Sequence, residues 1–584
     1  MTVLAAAPAD AGIASARTTD GGARQPDADL WCSYAAVRCL AWLGRRPADA
    51  DAVAAFLLSR QNADGAFAWQ RGMPSDMWAT YYCTQALRDL GRDVPATERL
   101  AGWLEGLRAG SGGFAMTPGQ SADVWATYYA CRTYAEVLGR PVPDVAGLER
   151  WLRAAQHEAG GLSWAPGGAE PDVRACYYGA VAWRAAAGDR RPPWRTGALV
   201  AWLRGQQAAD GGFGFATGSA SCSWAAFRAV RALDALGAQP RDAAALRTWL
   251  ACRRLDAGGY ERWAGYGQAD VWACFTVVGA LATLDGGGGR GELAPAQREA
   301  VAAFVQGCQL TGSGFTYRDP DAAGDSLATA AGLLLAHERR HDPRPLAAWL
   351  RAAQLPYEDG VMYMPGRGAE VRCTLWAAAA LNAAGDGLDD ARLATWLGQL
   401  QNPDGGFGYW LGRGSDVVST VSALETADIA GLPLRATLDA AAARSFLDAC
   451  ASDDGYGPAP GAATTLSATA QAARALDLLG DRAAALAAGA GIARCASLLG
   501  GFSARPRALP ELVSTYQAVL TAQVLGLPVD RAGLARFMTK VAAGAGFAWS
   551  PVGSASGGPL ADCLGALLCA AAADPDAALP RLNL

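Results

Sequence analysis

Histidine is almost absent from this chain: 584 residues hold three, His157, His337 and His341. The first falls in a glycine loop and the others at or after a helix end, so no Ser-His-Asp set can be assembled. The 14 cysteines contain no CxxC pair, and Cys39, Cys131 and Cys569 sit inside apolar helical runs. That argues against a disulfide framework and for reduced thiols serving as small core residues. An excess of either charge is lacking too, with 50 basic against 55 acidic residues and a net of −5, so no basic surface argues for nucleic acid. The longest Ala/Leu tract, near 483–499, is broken by Arg494, so no integral membrane segment is expected, while peripheral membrane contact stays open. No Walker loop or Rossmann fingerprint is present. What remains is an acidic, soluble, cytoplasmic protein long enough for two or more cores, with residues 1–25 read as a disordered tail.

A repeated phrase is what the chain has in abundance. Ser121–Tyr129, SADVWATYY, reads as a helix start in which Asp123 caps and Trp125, Tyr128 and Tyr129 share a face. It recurs at Asp29, Asp76, Asp123, Asp172, Ser221 and Asp270, then at Asp325, Glu370, Asp416, Thr465, Glu511 and Asp562. Between copies lies a second helix, often marked Trp-Leu as at Trp151-Leu152, which ends in a glycine loop such as Asp404-Gly405-Gly406-Phe407. Each unit is therefore a helical hairpin. A hairpin of this size cannot bury its apolar faces alone, so neighbours must stack, and six can close into a ring. The sequence predicts an all-α chain of two tandem α/α-barrels, residues 26–290 and 291–584, divided at Gly286–Gly289.

From about residue 26 onward this pattern resembles the prenyltransferase and terpenoid-cyclase repeat superfamily, and two barrels in one chain are most like its class II cyclases. The resemblance implies inner and outer rings of helices, with the residues after each capping acid facing a cavity. It also implies that one barrel is inserted in the other, so the first hairpin could close the C-terminal barrel. The family's zinc enzymes carry Asp-x-Cys and a histidine at helix starts, and this chain has neither, so no metal site is expected. The class II cyclases carry DxDDT, whose third position supplies a proton. Aligned on the threonine, that position holds Trp31, Trp78, Trp125, Arg174, Ser223, Trp272, Leu327, Arg372, Val418, Ser467, Val513 and Leu564, none of them an acid. The family's acid-bearing helix matches Glu370-Val371-Arg372-Cys373-Thr374, which keeps only the first acid and the threonine.

The candidate acids are therefore Asp325, which follows Asp319 and Asp321, then Glu370 and Asp416, with Asp29 after Asp27 as a further Asp-x-Asp. Each is first of all an N-cap. Trp78, Tyr82, Trp125, Tyr129, Trp272 and Trp376 are candidate substrate-binding rings, able to hold an isoprenoid or a carbocation, or simply to fill a core. Gly366-Arg367-Gly368 and Gly412-Arg413-Gly414, with Arg372 nearby and Arg318 and Arg505 as additions, suggest a diphosphate contact, for which Mg²⁺ would be the accompanying cation. The expected function is an unusual class II-type terpene cyclase closing a linear isoprenoid or prenyl diphosphate. The alternatives are a non-catalytic isoprenoid- or partner-binding protein, or a cavity enzyme using other chemistry on a prenylated intermediate.

Overall fold

The computed structural model describes residues 16–25, 27–69, 75–118, 120–168, 170–286, 293–339, 342–365, 367–411, 413–553 and 556–584. Gly287–Gly289, His341, Gly366 and Gly412 lie outside that set, as does the side chain of His337. The chain divides into two compact units, residues 27–320 and residues 1–26 with 321–584.

In the first unit six inner helices form a closed ring: α1 (Leu30–Trp42), α2 (Met77–Asp89), α3 (Val124–Arg132), α4 (Val173–Ala187), α5 (Ser223–Ala235) and α6 (Val271–Leu284). Each packs on the next, and α6 returns to α1. Six outer helices alternate with them, the last being Pro295–Gly307. In the second unit the ring is α7 (Ser326–Arg339), α8 (Val371–Ala383), α9 (Val417–Ile429), α10 (Leu466–Leu478), α11 (Leu512–Leu525) and α12 (Pro559–Ala573), with α12 returning to α7. Here the outer helix Arg531–Val541 packs on α12, but no outer helix follows α12 among the described residues; residues 574–584 follow it as a non-helical segment.

The division falls at Asp321 rather than at the glycine insert, because the outer helix and loop after the insert belong to the first ring. Arg45 pairs with Glu299 at 2.8 Å, Gln306 donates to the Arg46 carbonyl at 2.7 Å, and the Phe315 amide donates to Ser33 Oγ at 2.9 Å. Conversely, residues 16–25 are no loose tail. Asp20-Gly21-Gly22-Ala23 is a glycine loop serving α7, 300 residues away: the Ala23 amide donates to Thr329 Oγ1 at 2.9 Å and Trp349 Nε1 to Asp20 Oδ2 at 2.9 Å. The same tryptophan-aspartate bond recurs between Trp249 and Asp210 at 3.0 Å in the first unit. Thus only the first loop, not the first hairpin, completes the second ring.

One local device explains the repeated phrase. The capping side chain accepts an amide in the first helical turn, as Asp123 does from Ala126 at 2.8 Å. The residue four after the cap takes the amide of the loop residue that packs inward: Phe114 to Thr127 at 3.0 Å, Phe407 to Thr420 at 2.9 Å, and Val361, where the loop has no aromatic, to Thr374 at 3.0 Å. The first helical amide is taken by the next hairpin's loop, as Val124 is by the Trp164 carbonyl at 2.9 Å. Glycine is required because the loop lies against backbone. Gly405 has φ +86°, and a Cβ there would stand 2.1 Å from the Ala442 carbonyl oxygen.

Two registers differ from the sequence reading. The fifth helix is capped by Cys222, whose thiol accepts the Ala225 amide at 3.4 Å, so its second residue is Trp224, not Ser223. The twelfth is capped at Gly558; Asp562 occupies the threonine position and accepts the Phe547 amide at 2.8 Å, so the second residue is Leu560.

Candidate active site

The second residues of the inner helices in the first barrel are Trp31, Trp78, Trp125, Arg174, Trp224 and Trp272, and several of them meet. Trp31 stacks on Trp272 at 3.9 Å and meets Trp224 at 5.6 Å, while Trp78 meets Trp125 at 4.6 Å. One turn deeper, tyrosines fill the axis. Tyr82 and Tyr129 share a hydroxyl contact at 2.9 Å, and Tyr81, Tyr128 and Tyr177 form a chain at 2.9 and 2.7 Å. Arg132, just before a π-helical turn at Thr133–Val137, donates to the Tyr81 and Tyr128 hydroxyls and pairs with Glu136 at 2.6 Å. Burial alone pulls the Glu136 carboxyl up, but Arg132 and Arg38 outweigh it and hold it at about 2. Of the expected substrate rings in this barrel, Tyr82, Trp125, Tyr129 and Trp272 are buried in this packed interior and Trp78 is half-buried.

The second barrel carries Leu327, Arg372, Val418, Ser467, Val513 and Leu560 at the same level. The first five are half-exposed, whereas in the first barrel only Trp78 and Arg174 are. Around the second barrel's rim stand the capping acids. Glu370 is buried; Tyr409 donates to its Oε2, and Arg367 Nη2 lies 2.8 Å from Oε1 without the alignment of a hydrogen bond. Arg372 lies 4.7 Å over the Tyr409 ring and donates to its hydroxyl at 2.9 Å, while its Nε is buried with no acceptor among the described residues. Asp325 is buried with its oxygens accepting the Ala328 and Gln25 amides at 2.8 and 3.0 Å, a structural pairing.

Asp416 differs from both. Its Oδ1 accepts the Ser419 amide at 2.7 Å, and among the described residues its Oδ2 is bonded only to the Ser419 hydroxyl at 3.0 Å, a group that can donate or accept. Burial raises its carboxyl above the ordinary range, against the pull of Ser419, Arg372 and Arg413. The hairpin that pairs Phe407–Gly408 with Ser415–Asp416 also carries Tyr409 and Trp410, whose rings meet at 5.0 Å.

The diphosphate expectation fares less well at the helix starts themselves. The first amides of α8 and α9 are taken by the Tyr409 and Pro458 carbonyls, and Arg367 is held against Glu370. Arg318 belongs to the first unit, bonded to Gln268 at 2.7 Å, and Arg505 lines a separate cavity of about 480 Å³ with Thr465 and Arg494. Trp376 is wholly buried and donates to the Asn583 carbonyl at 2.8 Å. Among the described residues no group of His, Cys, Asp and Glu could hold a metal ion. No described helix is long and apolar enough to cross a membrane.

Two acids escaped the sequence reading because they look like every other cap. Asp270 is wholly buried, its Oδ1 accepts the Ala273 amide at 2.7 Å, and its Oδ2 has no partner among the described residues. Desolvation pushes it up to about 6, against Ala273, Arg262 and Arg318. Burial also raises Glu511, which the Ser514 hydroxyl and amide and the Val513 amide oppose.

A family model for the prenyltransferase alpha-alpha toroid domain matches residues 12–77, 69–265, 261–491 and 472–554. The chain belongs to that toroid family. Among solved structures, this toroid protein is similar to ent-copalyl diphosphate synthase from Streptomyces platensis, at 18% identity over 97% of this chain and 98% of that one, with a TM-score of 0.49. It is also similar to the type II terpene cyclase MstE from Scytonema, at 16% identity over 48% of this chain and 97% of that one, TM-score 0.33. A third likeness is to Candida albicans protein geranylgeranyltransferase-I complexed with GGPP, at 13% identity over 36% and 71% of the two chains, TM-score 0.30. No curated protein sequence matches.

Proposed function

We propose that this toroid protein is a class II-type terpene cyclase with an unusual acid, working at the helix starts of the second barrel on a linear isoprenoid or prenyl diphosphate. The observation that carries this reading is Asp416: a half-buried carboxyl raised by burial, whose Oδ2 faces only a hydroxyl among the described residues, on the hairpin that carries an aromatic pair, with Leu327, Val418 and Val513 half-exposed at the helix starts. Protonated Asp416 gives its proton to a terminal alkene or epoxide of the substrate, whose electron pair forms the new C–H or O–H bond. The next double bond attacks the resulting cation and closes a ring. Tyr409 and Trp410 present ring faces to cations, and the last cation returns a proton to the Asp416 carboxylate, so the net change is an isomerisation. Arg372, with its unaccepted Nε, suits an anionic head group.

The test is incubation with farnesyl and geranylgeranyl diphosphates, squalene and oxidosqualene, with products read by mass spectrometry. The expected result is a cyclised product that Asp416→Asn, which keeps the cap, reduces by roughly 10²–10⁴-fold. Its rate should fall as pH rises, because only the protonated acid acts. Product formation unchanged in Asp416→Asn would remove Asp416 as the donor. One observation favours a second reading, a non-catalytic isoprenoid binder: at the position of the family's acid helix, Glu370 is held between Tyr409 and Arg367. Ligand binding without any turnover would select it.

A further inference from the structure

The loops before α11 break the pattern of the other hairpins. Four glycine loops carry an aspartate just before their small-residue pair, at Asp20, Asp64, Asp210 and Asp404, and each accepts an amide two residues on: Gly22 at 3.1 Å, Ala66 at 3.0 Å, Gly212 at 2.9 Å and Gly406 at 3.0 Å. In Ser497-Leu498-Leu499-Gly500-Gly501-Phe502 that brace is replaced by leucine. Leu498 is fully exposed and Leu499 is 41% exposed, so neither gains much from folding. The next loop continues the departure. Ser503 pairs with Pro510 across it, and Leu509 at its end is 54% exposed. Three leucines within twelve residues thus face water, on two loops joined at Phe502-Ser503.

The charge around them is of one sign. From Arg482 to Pro510 the chain carries four arginines and no acid, although the whole molecule has a net charge of −5. Arg482 and Arg494 are paired, with Asp477 at 2.8 Å and Asp454 at 3.4 Å. Arg505 and Arg507 are exposed, and neither side chain has a hydrogen bond or ion pair among the described residues. Arg507 stands where other loops place glycine. It lies five residues after the loop aromatic, as Gly218, Gly265 and Gly461 do, and shares their left-handed backbone, with φ +65° against +83°, +79° and +75°. That conformation is unfavourable for a residue with a Cβ, so the guanidinium is kept there at a cost to the fold. Arg494 and Arg505 also line one cavity of about 480 Å³, with Thr464, Thr465 and Thr469.

Apolar tips beside unpaired guanidinium groups match a boundary between hydrocarbon and anionic oxygen. Three leucines cover far less than the about 800 Å² per partner of a stable protein interface, whereas a bilayer needs only apolar tips and cations. We propose that Leu498-Leu499 and Arg505–Leu509 form a peripheral docking surface for an anionic lipid bilayer. The leucines enter the head-group boundary, and Arg505 and Arg507 meet lipid phosphates. This surface does not depend on the reading of Asp416 as a proton donor.

The experiment sediments the full chain with vesicles of phosphatidylcholine alone and of phosphatidylcholine with roughly 30 mole per cent phosphatidylglycerol. The wild type should pellet with the anionic vesicles and be released from them at about 0.5 M salt. Leu498→Ser with Leu499→Ser, and separately Arg505→Gln with Arg507→Gln, should each weaken that binding by about tenfold or more. All four side chains are exposed, and circular dichroism checks that the variants keep the fold. Wild-type protein that stays in solution with both vesicle types, or variants that pellet as the wild type does, overturns the docking surface. Leucine-dependent self-association without lipid binding, read by analytical ultracentrifugation, would overturn it too, in favour of a contact between copies.

Discussion

At the scale of single residues, the same capping aspartate has different chemistry from copy to copy, set by its burial and by what its second oxygen meets. Asp123 and Asp270 both cap a helix within the phrase Asp-Val-Trp-Ala, but Asp270 has an oxygen with no partner among the described residues and a carboxyl at about 6. A folded value above the unfolded one means that the native state binds the extra proton, so stability is highest below the unfolded value and declines as pH rises from about 4 to about 6. The shift corresponds to about 3 kcal/mol at most. Urea melts of the wild type and Asp270→Asn should show a difference that changes by an amount of that order between pH 4 and pH 7, to the wild type's disadvantage at neutral pH. Parallel profiles would mean that Asp270 stays ionised in the fold. None of this was legible in sequence, because the desolvation comes from neighbours contributed by other hairpins. Glu370 shows the opposite failing. It stood out as the surviving acid of a family motif, yet the structure gives its oxygens to Tyr409 and Arg367.

At the scale of the element, the threonine of the repeated phrase is the joint between helix and loop. Thr127 is wholly buried, accepts the Phe114 amide, and lets the loop lie flat against the outer helix. Thr127→Val keeps the shape and removes the acceptor, leaving a buried amide unpaired at a cost of about 1–3 kcal/mol. A urea midpoint equal to the wild type's would show that the loop finds another acceptor. This joint explains why the repeat count was readable: a side-chain role needed at every hairpin writes itself at every period. It also explains the two misread registers. Cys222 caps through a thiol and Asp562 serves in the threonine position, so residue type and role part company in the fifth and twelfth copies. The loop at Asp20–Ala23 was missed for a different reason, since the helix it serves lies 300 residues downstream.

At the scale of the whole molecule, both rings use the same frame but fill it differently. Aromatic side chains occupy the first barrel; the segment that follows α12 and a buried polar network occupy the second. That contrast is half legible: the sequence shows fewer aromatics in the second half, but not what replaces them. The replacement is anchored on Arg474, which is almost wholly buried. It donates to Glu425 at 2.7 Å, to Thr521 at 2.8 Å and to Asn583 at 2.8 Å. Taking this pair out of water is costly, and removing one partner leaves the other charge buried and alone, so Arg474→Met should destabilise the second barrel by about 3–5 kcal/mol. Glu425→Met on the same background should recover much of that loss, because no uncompensated charge then remains. Limited proteolysis, following fragments of residues 321–584 by mass, would read both. If the double variant is no more resistant than Arg474→Met, the network's value lies in holding Asn583 and the segment behind it rather than in pairing the two charges.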